Sequence, residues 1–410
     1  MLRKIAVVIS LAVLLTVAVV TAQDAPVVTV APDGSVVIGL AAALSGEGLA
    51  PLGEDIQRGA ELALDARPTV TVDGKEFAVK LDPQDDLCSA EGGQTIANRF
   101  VADASVVGVV GPMCSSACRA AAPIFDAAGY SSISPSCTAP GLTLSGYTSF
   151  NRAVVSDGFQ GVVAAEFIYN TLGLRRIATI HDGSPYGAGL AEVVTKRFTE
   201  LGGEVVAADA VNVGETNFRS TLENIAAEEP ELIYFGGFAA EGARLAQQRA
   251  DAGMEDVIFM GADGIKGGEY PTLAGAAGVG TYASSAIPEE SDTVAAVLAT
   301  YLEKYGLEKP TGPFWPNAYD ATNMILDAIE AVGTVDANGN LVIDRADLQK
   351  YIRSIQDFKG LSGVLNCDGT GECSAARIGI IQYGEGGAEI EVAVGVPNAD
   401  GSITIETPES

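Results

Sequence analysis

The stretch VVGVVGPMCSS (residues 106–116) leads from a continuous apolar segment into two small hydroxyl side chains, Ser115 and Ser116. A second stretch, YSSISPSCTAP (130–140), has the same arrangement. A short apolar segment followed by small polar residues predicts a buried strand that ends at a loop or at the start of a helix. In an α/β domain such strand ends lie side by side at the ligand crevice. Hydroxyl and free N–H groups gathered there can bind a carboxylate.

Strand and helix patterns alternate through most of the 410 residues. Strands are predicted at 36–44, 106–111, 130–134, 177–182, 204–211, 232–236 and 257–261, with a hairpin at 69–81. Helices are predicted at 53–66, 90–103, 116–128, 158–172, 187–201, 217–228, 241–252, 291–305, 316–332 and 345–354. Strands that are apolar throughout have helices on both faces, and repeated βα units form parallel sheets. Because the chain is too long for one core, we predict an α/β fold with two doubly wound parallel-sheet lobes.

The N-terminus has the pattern of a secretory signal peptide. Arg3 and Lys4 precede an apolar segment at 5–20, and a small-x-small pattern follows and ends at Ala22. We predict cleavage near Ala22, so that residues 1–22 are removed and the mature protein is secreted to the periplasm or the cell exterior. Retention of the segment as a membrane anchor is the alternative, although a spanning helix needs about 20 apolar residues.

Composition argues against several classes of function. Acidic residues outnumber basic ones by 53 to 24, which disfavours nucleic acid and anionic lipid as partners because both bind through Lys and Arg. The single histidine, His181, disfavours Ser-His-Asp catalysis and histidine metal sites. We therefore expect no catalytic residue, no metal and no cofactor. The segments 23–33 and 404–410 have little to bury, and we expect them to be disordered.

Six cysteines follow the predicted signal peptide, which favours disulfides over metal ligands. Their number leaves the connectivity open. Cys367 and Cys373 flank a short turn and can close it locally. A zinc site is the alternative, but the spacings lack two CxxC motifs.

Five ordered segments resemble the leucine/isoleucine/valine-binding proteins that serve bacterial ABC importers. The resemblance extends from about Ser35 into the C-terminal region. The segments are DDLC (85–88), the stretch from Cys114 to Pro140, HDGSPYG (181–187), YFGGF (234–238) and FMGADG (259–264). The resemblance implies a type I periplasmic binding protein with two lobes and a three-crossing hinge, and not an enzyme.

The resemblance also implies how the chain is divided. The first lobe is expected to comprise 35–156 plus 288–360, and the second lobe 157–287 plus 361–410. Three adjacent crossings would form a hinge that closes the lobes on a ligand.

A disulfide pairing follows from the same resemblance. The family has a bridge at the positions of Cys88 and Cys114, and the local turn accounts for a second pair. The expected set is Cys88–Cys114, Cys118–Cys137 and Cys367–Cys373.

The resemblance assigns roles around a bound amino acid. The Ser115 hydroxyl and the Thr138 N–H would hold the carboxylate, while the Ser136 carbonyl and the Thr138 hydroxyl would accept hydrogen bonds from the ammonium. Asp263 takes the place of the acid that pairs with the ammonium, and it is Asp where leucine-binding relatives have Glu. A closed site must satisfy both charges, because an unpaired buried charge is costly.

Four further contacts are apolar or aromatic. Tyr186 would close over the ligand from the second lobe. Leu52, Phe238 and Phe314 would form an apolar wall around the ligand side chain. Such a wall suits Leu, Ile or Val, and it also suits other apolar amino acids.

Each of these residues also has a purely structural interpretation. Ser115 and Thr138 can cap helices or turns, and Asp263 can be a turn residue before Gly264. Tyr186 and the residues of the apolar wall can be ordinary packing residues.

The function we expect is capture of a branched-chain or similar apolar L-amino acid by lobe closure, followed by delivery to an ABC permease. We expect a monomer. One alternative is the ligand-sensing domain of a receptor or regulator, which the lack of a signalling segment after the lobes disfavours. Another is a transport protein for an amide, a urea-like solute or an aromatic acid, and a plain carboxylic acid would be repelled by Asp263.

Overall fold

The computed structural model describes residues 27–407, and the predicted signal peptide at 1–22 lies outside them. Within that range, no helix combines the length and the apolar character needed to cross a membrane. The strands are β1 (Val27–Val30), β2 (Ser35–Ala42), β3 (Thr69–Val72), β4 (Lys75–Asp85), β5 (Val106–Val110), β6 (Ser132–Ser134), β7 (Phe150–Arg152), β8 (Arg176–His181), β9 (Glu204–Ala210), β10 (Leu232–Gly236), β11 (Ile258–Gly261), β12 (Tyr282–Ala286), β13 (Thr334–Val335), β14 (Leu341–Asp344), β15 (Phe358–Lys359), β16 (Val364–Leu365), β17 (Ile378–Tyr383), β18 (Glu389–Pro397) and β19 (Ile403–Glu406).

The helices lie mostly between parallel strands. They are α1 (Ala50–Ala66), α2 (Ala90–Ala102), α3 (Ser115–Ala127), α4 (Asp157–Glu166), α5 (Pro185–Glu200), α6 (Arg219–Ala226), α7 (Ala239–Gln248), α8 (Tyr270–Ala274), α9 (Asp292–Tyr305), α10 (Trp315–Val332) and α11 (Arg345–Arg353).

Two large sheets define two lobes. The sheet of the first lobe has the order β3-β4-β2-β5-β6-β7 and is parallel except for the edge strand β3. The sheet of the second lobe has the order β19-β18-β17-β12-β11-β10-β8-β9. Its strands from β12 to β9 are parallel, and β17, β18 and β19 extend it antiparallel. The predicted α/β fold with two helix-covered sheets is confirmed.

Strand β2 shows why its sequence is apolar throughout. Ile38 and Leu40 pack in one buried cluster with residues of α1 and α10. Val37 and Ala41 point to the other face and pack with residues of α2 and α3. A Cβ on Gly39, between them, would lie 3.0 Å from the Phe100 ring, so a larger residue here would crowd Phe100. Both faces of the sheet are therefore covered by helices.

The predicted disorder at the ends is wrong where the structure describes them. Strand β1 pairs antiparallel with β14, and Val28 is buried by this pairing. Strand β19 likewise pairs with β18. Strands β7 and β12 were not predicted, because their sequences, FNR and YASSA, have no apolar run. Their strand structure comes from pairing with β6, β11 and β17.

The third crossing between the lobes differs from the expected boundary at 360/361. Leu365, Cys367 and Cys373 are buried in the main core of the first lobe. Strand β17, which starts at Ile378, belongs to the second sheet. The chain therefore crosses after Cys373. The expected boundary was carried over from the family resemblance, and no local pattern in the sequence marks where this crossing lies.

The second and third crossings run side by side. Ala286 at the end of β12 is paired with Ile378 at the start of β17. The Ile287 N–H continues this pairing and donates to the Arg377 carbonyl, with an N–O distance of 3.3 Å. Paired strands at a lobe boundary form a connection suited to hinge motion.

Three disulfides cross-link the first lobe, and no cysteine of the described residues is free. They are the three pairs that the sequence analysis gave: Cys88–Cys114, Cys118–Cys137 and Cys367–Cys373. The first two join α3 to the loops that follow β4 and β6. Cross-links at these loops restrict the positions of the strand ends.

Several buried carboxylates serve as acceptors for backbone N–H groups. Asp55 of α1 accepts from the N–H groups of Phe314 and Trp315, both at 2.8 Å, and so tethers the start of α10. Burial raises the pKa of Asp55 to about 7. Burial also raises the pKa of Asp86 and of Asp320 to about 6.

The free energy of unfolding should fall as the pH rises from about 4 to about 7. The folded-state pKa of Asp55 is raised by burial above the ordinary value of an aspartate, so in this interval the folded state keeps a proton that the unfolded state has released. Asp55→Asn, which mimics the protonated acid, should flatten the decline, whereas Asp33→Asn on the surface should not. Denaturant midpoints measured across this range test both variants, and an unchanged pH slope in Asp55→Asn would contradict the assignment.

Candidate ligand-binding cleft

The two strand-end segments that opened the sequence analysis lie next to each other. The Ser136 hydroxyl donates to the Met113 carbonyl at 2.8 Å, and the Ser134 hydroxyl donates to the Pro112 carbonyl at 2.7 Å. The Ala139 N–H donates to the Ser115 hydroxyl at 3.2 Å. The two loops after β5 and β6 therefore form one hydrogen-bonded unit.

Asp86 holds this unit from the side of β4. Its carboxylate accepts from the Met113 N–H at 2.7 Å and from the Cys88 N–H at 2.9 Å. The disulfide between Cys88 and Cys114 joins the same two segments covalently. The start of α3, with Ser115 as its first residue, is thus fixed by a charge-assisted hydrogen bond and a cross-link.

Arg152 fixes the loop around Thr138 through hydrogen bonds to its backbone. Its guanidinium is fully buried and donates to the carbonyls of Cys137, at 3.2 Å, and Ala139, at 2.9 Å. Glu372, inside the turn closed by the third disulfide, forms an ion pair with Arg152 through both carboxylate oxygens. The C-terminal disulfide turn therefore supports the loop that contains Thr138.

One small cavity lies where the two lobes meet at these strand ends. It is lined by Leu52, Met113, Cys114, Ser115, Ser136 and Phe314 of the first lobe and by Tyr186, Phe238 and Asp263 of the second. Its volume is about 10 Å³, close to what a single water molecule requires.

The structure brings together seven of the eight predicted site residues in this lining. The eighth, Thr138, is buried behind it, and its hydroxyl has no hydrogen-bond partner in the described part of the chain. Met113 was not predicted as a lining residue, and it enters because Asp86 and Ser136 both bind its backbone.

The wall of the second lobe is built on two strand ends. Tyr186 lies in the first turn of α5, which Ser184 caps by accepting from the Gly187 N–H at 2.9 Å. The Tyr186 hydroxyl accepts from the Gly264 N–H at 3.0 Å, and its ring lies 5.2 Å from the ring of Phe238. Tyr186 thereby also fixes the turn that carries Asp263.

Two buried carboxylates lie close to each other beside the cavity. Asp263 accepts from the Gln160 amide at 2.8 Å. Asp157, the first residue of α4, is fully buried, and neither of its carboxylate oxygens has a hydrogen-bond partner among residues 27–407. Burial and the charge of Asp263 raise the pKa of Asp157 well above its usual value, although the neighbouring Thr138 and Arg152 partly oppose the shift. Burial raises the pKa of Asp263 to about 6.

Two such acids cannot both be ionised at low cost without a cation between them. No Lys or Arg belongs to the cavity lining. Arg152 acts on Asp157 from a distance, but it is already paired with Glu372. The acid pair therefore either shares a proton or takes up a cationic group from a ligand.

Sequence reasoning missed Asp157, Gln160 and Tyr234, all three of which are buried in this region. Ser156 caps α4 by accepting from the Gly158 N–H, so the sequence around Asp157 has the pattern of an ordinary helix start. The burial of Asp157 depends on residues of both lobes, and no local pattern indicates it.

The described residues contain no cluster of His, Cys, Asp and Glu that could hold a metal ion. His181 uses its Nδ1 to accept from the Gly183 N–H at 3.1 Å, which shapes the turn before α5.

Two lobes of α/β structure with a cleft of hydroxyl, acidic and apolar groups between their strand ends define a solute-binding protein. The chain belongs to the periplasmic binding protein family, whose profile matches residues 35–376. This family is extracytoplasmic in general.

Individual relatives agree with the family assignment. The chain is 28% identical to Leu/Ile/Val-binding protein homolog 3 of Brucella melitensis over 357 residues, 86% of this chain and 92% of the relative. It is 33% identical over 252 residues to the leucine-, isoleucine-, valine-, threonine- and alanine-binding protein of Pseudomonas aeruginosa, 62% of this chain and 67% of the relative.

A solved structure shows the same architecture. The leucine-binding protein LivK of Thermotoga maritima superposes with a TM-score of 0.78 at 26% identity, covering 88% of this chain and 98% of that one. The resemblance to leucine/isoleucine/valine-binding proteins noted from the sequence is confirmed.

Glu372→Ala should lower the free energy of unfolding by about 3 kcal/mol, because it leaves the buried Arg152 guanidinium without its carboxylate. Glu391→Ala, an exposed position on β18, is the matched control and should change stability by less than about 0.5 kcal/mol. Denaturant unfolding with all disulfides intact measures both variants. Equal effects of the two substitutions would show that Arg152 does not depend on this ion pair.

Proposed function

We propose that this protein binds an L-amino acid with an apolar side chain of the Leu, Ile or Val kind between its lobes and delivers it to an ABC importer. The observation that carries the proposal is the buried acid pair, Asp157 and Asp263, beside a cavity whose other walls are hydroxyl and apolar groups. Two relatives are named as binding proteins for leucine, isoleucine and valine, and these names support the same ligand class.

The carboxylate of the amino acid would bind at the loops of the first lobe. Ser115 begins α3, and the first N–H groups of a helix have no partner within it. Their partial positive charge stabilises an anion. Thr138, in the adjacent loop, would contribute its N–H to the carboxylate. Its hydroxyl, which has no partner among the described residues, would accept from the ammonium.

The ammonium would bind at the opposite end of the cavity. Asp263 enters from the second lobe, and Asp157 lies at the crossing between the lobes. A cation placed there removes the mutual repulsion of the two carboxylates, and it supplies a partner for the oxygens of Asp157. A plain organic acid offers no such charge, so the acid pair disfavours that alternative.

The side chain of the amino acid would contact apolar groups from both lobes. Leu52, Met113 and Phe314 belong to the first lobe, and Phe238 belongs to the second. None of these four side chains is a strong hydrogen-bond donor or acceptor. A polar ligand side chain would therefore lose its hydrogen bonds to water on entry without replacing them.

Ligand entry requires the lobes to separate, because the cavity is far smaller than an amino acid. Contacts between the lobes would break on opening. The Gly48 N–H of the first lobe donates to the carboxylate of Glu269 in the second. Glu47 and Arg244 form an ion pair at 2.7 Å across the same edge. These contacts and the paired strands of the hinge support a closing motion around the ligand.

No catalytic step is part of the proposal. The cavity lining contains no histidine, and the hydroxyl of Ser115 already accepts from the Ala139 N–H without a neighbouring base. The buried acids would act as fixed counter-charges.

Asp263→Ala should weaken L-leucine binding by about 2–5 kcal/mol, because it removes one of the two buried charges that face the ammonium. Isothermal titration calorimetry measures the affinity. Asp251→Ala, an exposed position in the same lobe, is the control and should bind normally. A loss of less than threefold in Asp263→Ala would contradict the role of Asp263.

The ligand class has its own test within the same titrations. 4-Methylpentanoate has the leucine side chain and carboxylate without the ammonium. Binding of this acid as tightly as leucine would show that the ammonium is not recognised.

Affinity for L-leucine should fall as the pH drops below about 6, by up to about tenfold per pH unit for each proton that binding releases. The bound ammonium favours ionised carboxylates, whereas the free protein has pKa values raised by burial, so binding in this range must release protons. Calorimetry near pH 5.5 in two buffers of different ionisation enthalpy measures the release. Proton release of zero, together with equal affinity at pH 5 and pH 8, would contradict proton-linked binding at the acid pair.

A further inference from the structure

A second and larger pocket lies between the lobes, outside the ligand cavity. Its volume is about 610 Å³. One wall consists of α3 and the loop 139–147 of the first lobe, and the other consists of the solvent-facing side of α5 in the second lobe. We call it the side pocket. Its size falls in the range of pockets that bind small organic ligands, about 300–1,000 Å³.

The lining of the side pocket is mainly apolar with a few charges at its margin. Pro140 and Leu142 of the first lobe face Val193 of the second. Arg119 contributes a positive charge from α3, and Lys196 contributes another from α5. Neither of them takes part in an ion pair among residues 27–407. Two unpaired cations beside apolar walls suit a ligand with an apolar body and an anionic head.

The acid among the lining residues does not cancel this preference. Glu192 lies one turn before Lys196 on α5, yet no ion pair joins them. The lining therefore has two positive charges and one negative charge, in a protein whose net charge is −29. The side pocket is therefore a locally cationic region on an acidic protein.

The floor of the side pocket is rigid. Ala122, Ala139 and Leu142 pack in one buried cluster with Cys118 and Cys137. The disulfide between these cysteines joins α3 to the loop that forms the pocket wall. A pre-formed wall loses little conformational entropy when a ligand binds.

The two walls belong to different lobes, so the side pocket is complete only at the lobe separation that the structure shows. Near its edge the lobes approach closely, since a Cβ on Gly189 of α5 would lie 3.4 Å from Pro140. A ligand that contacts both walls binds the closed arrangement better than an open one, and it shifts the population towards closure.

We propose that the side pocket binds a small amphipathic carboxylate, with the anionic head at Arg119 and Lys196 and the apolar body against Pro140, Leu142 and Val193. Occupation of this pocket stabilises the closed lobes and so strengthens amino-acid binding in the cleft, a coupling that rests on the proposed function. By linkage, the amino acid strengthens binding at the side pocket by the same factor.

The test uses octanoate as the probe and the complete mature protein. Calorimetric titration without amino acid should show one octanoate site. The double variant Arg119→Glu, Lys196→Glu should weaken it at least tenfold. The matched control is Lys80→Glu, Lys350→Glu, which changes the net charge equally at two exposed lysines of the first lobe and should bind octanoate normally. Circular dichroism verifies that both variants are folded.

Two results would overturn the assignment. One is equal octanoate binding by the Arg119/Lys196 variant and the parent protein. The other is loss of octanoate binding when L-leucine saturates the protein, because that result would place octanoate in the amino-acid cleft. Octanol, which lacks the anionic head, should bind at least tenfold more weakly than octanoate, and equal binding would refute the role of the two cations.

A final measurement separates this inference from the proposed function. Octanoate at saturation should tighten L-leucine binding severalfold in the parent protein and leave it unchanged in the Arg119/Lys196 variant. If octanoate binds as described but leucine does not bind at all, the side pocket stands and the amino-acid assignment fails. If both bind without affecting each other, the coupling is wrong.

Discussion

The structure depends on one constraint, which is the cost of burying carboxylates that have no cation beside them. Asp55 and Asp86 are buried and accept backbone N–H groups, so each holds a segment of chain in place. Asp157 is equally buried but accepts no hydrogen bond among the described residues, and it lies next to Asp263. The same side chain has a structural role where N–H donors surround it, and under the proposed function it would accept the cationic group of a ligand where they do not.

The cleft depends on a support that begins far from it in sequence. The disulfide turn at 367–373 presents Glu372 to the buried Arg152. Arg152 in turn donates to two carbonyls of the loop that contains Thr138. The Cys118–Cys137 disulfide fixes that loop to α3 from the other side. A loop held at several points would need little reorganisation when a ligand binds beside it.

Much of the fold could be predicted, because its signals are local. The apolar segment at 106–110 became β5, and Ser115 after it lies at the cleft with Ser136. The second sheet was harder to predict, since β12 (YASSA) has no apolar run and becomes a strand by pairing on both sides. Strand β1 was predicted to be disordered because its pairing partner is also distant in sequence. Val28 is buried by β14, which lies more than three hundred residues later.

By itself, the sequence determined the alternation of strands and helices and the polar strand ends, because periodicity and turn chemistry depend on neighbours along the chain. The residues at which the lobes face each other were implied by the resemblance to leucine/isoleucine/valine-binding proteins. The tertiary structure alone decided the position of the third crossing, the burial of Asp157 against Asp263 and the side pocket between α3 and α5. Burial and the approach of like charges depend on segments that are distant in sequence, and no local pattern records which of them will meet.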